Sequence, residues 1–212
     1  MVAVIPPRTV RASSWITDYL VTGSPAPTDI AGLSNPLDDV LSVEFAAAQS
    51  ELAATAVEVL LAAFGRAVAR AVGDGRLDVD VDVDGDGNPA TGRAGLQCRA
   101  QRGLSATTLL SAGREALRTV EPVEAARTFQ ADVRFSYRTA FPGPAPDTGH
   151  LLALHACRDP RGPEVVHLDW WYDIRSFDRS TVEELAGQFP LAVIELASDG
   201  VAGGRKSICA GQ

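Results

Sequence analysis

The plainest pattern in the chain is a strict alternation in which Leu77, Val79, Val81 and Val83 are interleaved with Asp78, Asp80, Asp82 and Asp84. Successive strand residues point to opposite faces, so the run predicts a strand over 77–84 with one face in a core and the other in water. Residues 129–139 repeat the alternation through Phe129, Ala131, Val133, Phe135 and Tyr137, predicting a second strand. Leu151 to Cys157 and Val165 to Asp173 flank Asp159-Pro160-Arg161-Gly162 and read as a β-hairpin. Residues 94–101, after a Gly/Asn/Pro-rich turn, and the short run Leu41 to Phe45 are also β-prone.

Elsewhere the apolar period is helical. Val57, Leu60, Leu61, Phe64 and Val68 predict a helix over 53–72 closed by Gly73 and Gly75, and Leu109, Leu110 and Leu117 predict another over 104–120. A final helix is capped by Asp178 or Ser180, carries Glu183 and Glu184 in its first turns and presents Val182, Leu185, Phe189 and Val193; Pro190 is expected to kink or interrupt it. Near the start, Trp15, Ile16, Tyr19 and Leu20 form one stripe if 14–21 is helical with Ser14 as cap, and 23–36 holds Gly23, Pro25, Pro27, Gly32 and Pro36, the composition of a linker. The expected fold is α/β, a mixed and mostly antiparallel sheet covered by helices. Residues 1–36 form an N-terminal arm and linker helix, 37–200 one domain and 201–212 a flexible tail.

With 212 residues, 46% of them hydrophobic, the chain can bury one substantial core. A net charge of -8 argues against nucleic acid, whose phosphates need clustered Lys and Arg, although Arg93, Arg99 and Arg102 offer a local basic patch for an acidic partner. Cys98, Cys157 and Cys209 show no paired spacing and read as free thiols of a reducing compartment. Met-Val-Ala-Val-Ile-Pro-Pro lacks a charged leader, and no apolar run reaches the roughly 18 residues of a membrane span, so a soluble cytoplasmic protein is expected.

Ser14-Trp15-Ile16-Thr17-Asp18-Tyr19-Leu20 with Gly23-Ser24-Pro25-Ala26-Pro27, the stretch Ala54 to Phe64, and His167-Leu168-Asp169-Trp170-Trp171-Tyr172-Asp173 with Phe177-Asp178 and Thr181 to Ala186 run in an order that covers nearly the whole chain. In that order they resemble the C-terminal half of condensation and epimerization domains of nonribosomal peptide synthetases. The resemblance implies a half with the chloramphenicol-acetyltransferase-like fold. In that family two such halves form a V, and carrier-protein tunnels meet at a His-His-x-x-x-Asp-Gly motif supplied by the first half. That motif is absent: His150, His155 and His167 are the only histidines and none are adjacent. Where the family has a Gly-x-Phe-x-Asn-type bridge, this chain has the segment Gly85 to Gln97.

The resemblance therefore implies a half that is not a catalyst alone and that binds a peptidyl or acyl carrier protein or completes a separate first half. It implies no resident cofactor, and phosphopantetheine only as the arm of a partner carrier. Trp170, Tyr172, Tyr137, Arg93 and Arg99 are the candidates for acyl-channel or partner contact. Two alternatives stand beside this reading: a homo-oligomeric acyltransferase with an intersubunit site using one of the three histidines, and an inert homodimer.

Metal chemistry has two weaker signals. Asp82-Val83-Asp84-Gly85-Asp86-Gly87-Asn88 has the alternating oxygens of a calcium loop, but Thr91 or Arg93 stands where a bidentate Glu belongs, so an acidic strand edge running into a turn is preferred. His155, Cys157, His167 and Asp169 share one face of the hairpin if the register sets the pairs opposite, a zinc arrangement weighed against ordinary hairpin packing, which is preferred. No Gly-x-Ser-x-Gly elbow occurs, and no serine has a local sequence that suggests an activating base.

Overall fold

The computed structural model describes residues 14–84, 89–122, 131–139, 149–158 and 165–208. After a 3-10 turn at Ser14–Ile16 and another at Pro27–Asp29 come β1 (Ile30–Ser34), α1 (Asp39–Glu51), α2 (Ala56–Ala71), β2 (Gly75–Val83), β3 (Ala90–Cys98), α3 (Ala106–Arg118), β4 (Val133–Arg138), β5 (Leu152–Arg158), β6 (Val166–Asp173) and α4 (Arg179–Ile208). The strands form one sheet in the order β1-β6-β5-β4-β2-β3. The β2/β4 and β4/β5 pairs are parallel, and the β1/β6, β5/β6 and β2/β3 pairs antiparallel. This is the mixed, mostly antiparallel sheet that the alternations predict.

Parity builds the core. Leu77, Val79, Val81 and Val83 are buried with Val133, Phe135, Tyr137, Leu152, Leu154, Leu168 and Trp170, all from one face of the sheet. The helices close that face: Phe64 of α2 lies 6.2 Å from Phe135 and 6.0 Å from Trp170, and Phe189 of α4 meets Trp170 edge-on at 6.0 Å. Helix α2 is apolar nearly all round and is correspondingly enclosed. Its entry is a capping box, with Thr55 Oγ1 accepting from Glu58 N and Glu58 accepting from Thr55 N. Buried in the same helix, Arg66 donates to both oxygens of Glu195 on α4 and to the carbonyls of Arg99 and Gln101, so one guanidinium ties two helices to the loop after β3.

Several local expectations yield to tertiary partners, and one to a local cap. Over 14–21 only Ser14–Ile16 is helical, and Tyr19 and Leu20 are exposed rather than striped against a core. The segment is held from outside instead: Trp15 Nε1 donates to Arg76 O, Tyr19 N to Ser176 O, and Asp18 accepts from Asp178 N and Thr181 Oγ1 at the start of α4. The expected linker contains β1, which takes the edge beside β6 because Gly32 fits beneath Trp171; a Cβ there would lie 2.7 Å from the indole. Leu41 to Phe45 is not a strand but part of α1, whose N-cap Asp38 accepts from Leu41 N. The predicted 94–101 strand is β3, displaced to 90–98 by its pairing with β2.

The hairpin forms, although its turn, like Phe129 and Gln130 of the expected 129–139 strand, lies outside the described residues. Helix α4 passes through Pro190 without a break and continues over 201–208, where a tail was expected. Pro190 removes the N–H that would reach the carbonyl of Ala186, and Asn35 Nδ2 supplies the missing donor at 3.0 Å. No single helix among the described residues is long and apolar enough to cross a membrane.

Candidate functional site

The parity that sends valines and aromatics under the helices puts charged and polar residues on the outer face across β2, β3 and β4, with Ala153, Trp171 and Gly32 among them toward β1, and the strand registers arrange these residues in three rows. The first row is Arg93, Asp80, Arg134, Ala153, Trp171 and Gly32. The second is Thr91, Asp82, Ser136, His155, Asp169 and Ser34. In the third, Arg138 lies opposite Cys157, and Cys157 opposite His167.

Charge is paired along these rows. Asp80 accepts from Arg93 Nε at 3.1 Å and Ala131 N at 3.2 Å, and its Oδ2 lies 3.2 Å from His150 Nε2. Burial pushes the Asp80 carboxyl up, but the hydrogen bonds of His150, Arg93 and Ala131 outweigh it and hold the group below its ordinary range. Asp82 is clamped between Arg134 at 2.6 Å and Arg138 at 2.5 Å, and Arg138 also reaches Asp84 at 3.4 Å. At the end of β6 the buried Asp173 takes a bidentate contact from Arg175. Burial again pushes that carboxyl up, and the contacts of Arg175 and Ser176 prevail, leaving it lowered.

Between the charged columns, the buried Ser136 Oγ lies 2.5 Å from His155 Nδ1. Parallel pairing of β4 and β5 sets these residues side by side, and Asp169 stands opposite His155 on β6. Sequence reasoning missed this serine–histidine contact. Its signal was only the small polar residue between Phe135 and Tyr137, and which strand lies beside β4 cannot be read from spacing.

The singled-out residues divide between the two faces. Trp170, Tyr172 and Tyr137 have core parity and are buried under the helices, with the Tyr137 hydroxyl accepting from Arg158 Nε. They therefore do not join the outer rows. Arg93 is on the outer face, whereas Arg99 is exposed in the loop after β3, so the two do not meet. The hairpin register does set His155 opposite Asp169 and Cys157 opposite His167, but among the described residues no group of three or more His, Cys, Asp and Glu is placed to hold a metal ion. Asp82 and Asp84 of the calcium-like run are held by arginines, and Gly85 to Asn88 lie outside the described residues. Cys98 lies in the core, where burial, with Asp74 adding to it, pushes its thiol up to about 12.

No protein-family model matches the chain. A phenolphthiocerol/phthiocerol polyketide synthase of Mycobacterium tuberculosis is 27% identical over 249 aligned positions, which cover 92% of this chain and 16% of that protein; its Mycobacterium bovis counterpart matches equally. Among solved structures, the epimerization domain from the third module of tyrocidine synthetase B superposes with a TM-score of 0.66 at 16% identity, over 92% of this chain and 53% of that one. The condensation domain from the Monacolin K polyketide synthase MokA gives 0.64 at 12% over 92% and 55%. The X-domain from teicoplanin biosynthesis, solved in complex with OxyB, gives 0.63 at 14% over 91% and 50%. The chain thus spans about half of each of these structures and a small part of the polyketide synthase relatives. It carries the fold of one half of a condensation-type domain.

Proposed function

We propose that the chain serves polyketide or nonribosomal peptide assembly as the non-catalytic half of a condensation-type unit. In this reading its outer sheet face closes against a half bearing the His-His-x-x-x-Asp-Gly motif, and the pair receives an acyl group from a carrier protein. The observation that carries the reading is the asymmetry of the sheet: one face is sealed by helices, and the other presents ordered, half-buried ion pairs around Ser136 and His155. Charged groups held in register offer orientation to a complementary surface more than they offer stability. The likeness to one half of larger domains, and to an X-domain that is itself a partner-binding domain in its complex with OxyB, supports the same reading. Coexpression with a motif-bearing half is expected to give a stable one-to-one complex by light scattering, and holo-carrier is expected to bind that complex. A chain that binds neither partner overturns the reading.

The contact between Ser136 Oγ and His155 Nδ1 favours a second reading, an acyltransferase that uses a histidine of its own in a homo-oligomer. Under it, thioester-dependent acyl transfer is measurable with the chain alone and disappears in one of His150→Ala, His155→Ala or His167→Ala. Activity retained by all three variants excludes it. A homodimer with no activity and no affinity for carrier or half would instead identify an inert assembly.

A further inference from the structure

The β3 end of the sheet carries a second feature, separate from the outer rows. A cleft of ≈ 400 Å³ runs between β3 and α3. Leu96, Leu104 and Leu109 are among its apolar lining residues, and Gln97, Arg99 and Arg118 among its polar ones. Strand β3 is the last in the sheet. Among the described residues its outer partner is Glu121, which exchanges both backbone hydrogen bonds with Arg93 at 2.8 Å. Outward-pointing backbone groups recur at every second strand residue, so those of Gly95 and Gln97 point the same way as those of Arg93. Among the described residues nothing pairs with them, and both residues line the cleft.

Charge selects the occupant. In a chain of net charge -8, Arg99 is exposed on this cleft and Arg102 is exposed in the loop between Arg99 and Leu104, while Arg118, also exposed on the cleft, is paired with Glu115, the one carboxylate among the lining residues. Arg66, also in the lining, is committed to Glu195 and to two carbonyls, so it anchors the wall rather than a ligand. We infer that the cleft receives an extended acidic peptide segment of a partner protein. The segment adds as a strand to the β3 edge at Gly95 and Gln97, sets apolar side chains over Leu104 and Leu109, and sets carboxylates against Arg99 and Arg102. The edge from Gly95 to Arg99 is ~13 Å long, enough for four or five residues. The inference does not depend on the outer face meeting another half.

The test is fluorescence anisotropy of the full chain with labelled Glu-Leu-Glu-Leu-Glu, against Lys-Leu-Lys-Leu-Lys and an acidic peptide N-methylated at alternate amides. The acidic peptide is expected to bind saturably, with an affinity that falls as salt rises, and both controls to bind about tenfold or more weakly. Arg99→Glu with Arg102→Glu should lose binding by about the same factor. Gln97→Pro deletes one outward N–H at an edge position where proline is tolerated; it should keep the native circular dichroism and lose the peptide. No saturable binding, equal binding of the basic peptide, or binding unchanged by both N-methylation and Gln97→Pro overturns the inference. Self-association that Gln97→Pro abolishes overturns it in favour of a second copy of this chain.

Discussion

The two faces of the sheet are made by the same strands and differ in what holds them. Under the helices Trp170, Phe64, Phe135 and Phe189 pack ring against ring with no charged group among them. On the outer face Asp80, Asp82 and Asp84 face Arg93, Arg134 and Arg138 across 2.5 to 3.4 Å. Burying a large aromatic side chain contributes several kcal/mol, whereas a half-exposed ion pair contributes about 0–1 kcal/mol. The covered face therefore supplies the stability. The outer face is ordered by register at little energetic gain, which leaves its residues open to selection for contact with something else.

Substitutions at neighbouring residues test that contrast most sharply. Trp170→Ala should lower unfolding stability by about 3–5 kcal/mol in denaturant titration, whereas Trp171→Ala, one residue on and on the outer face, should cost less than half as much. Equal losses would mean that the outer face is a second core. Next in size is Glu195→Ala, which strands the buried Arg66 and should cost about 3 kcal/mol; Asp82→Asn, which loosens the half-exposed Arg134 and Arg138, should cost about 1 kcal/mol or less by the same measurement.

A pH dependence separates the outer carboxylates from the core. Asp80 and Asp173 are held below their ordinary value of 3.8, so the folded chain binds fewer protons there than the unfolded chain. Their contribution is complete above that value and drains as the pH falls through and below it. Melting temperature followed from neutral pH downward should show Asp80→Asn less stable than the parent at neutrality, with the gap closing in acid. A constant gap would remove Asp80 from the acid limb. The smallest effect is chemical: with its thiol at about 12 and its side chain in the core, Cys98 should resist alkylation at pH 8 in the folded chain and react once the chain is unfolded, as mass spectrometry can read.

Much of this was legible in the chain itself. The period-two runs at 77–84 and 133–137 and the helical period at 57–68 determined which elements form and which residues they bury, because side-chain parity and the 3.6-residue turn are local properties. The motifs around Trp15, from Ala54 to Phe64 and from His167 to Ala186 determined the resemblance to a condensation-domain half, and the three scattered histidines determined that its catalytic motif is missing. Only the tertiary structure decided strand order, and with it every contact of the outer face. Ser136 meets His155 because β4 lies parallel to β5, and Asp82 meets Arg134 and Arg138 because β2 lies parallel to β4. Leu41 to Phe45 is misread past a local cap, Asp38, but two other misread segments share a different cause. At 30–34 the free edge of β6, and at Pro190 the side chain of Asn35, supply hydrogen bonds from residues far away in the chain, and no local propensity records a distant donor or acceptor.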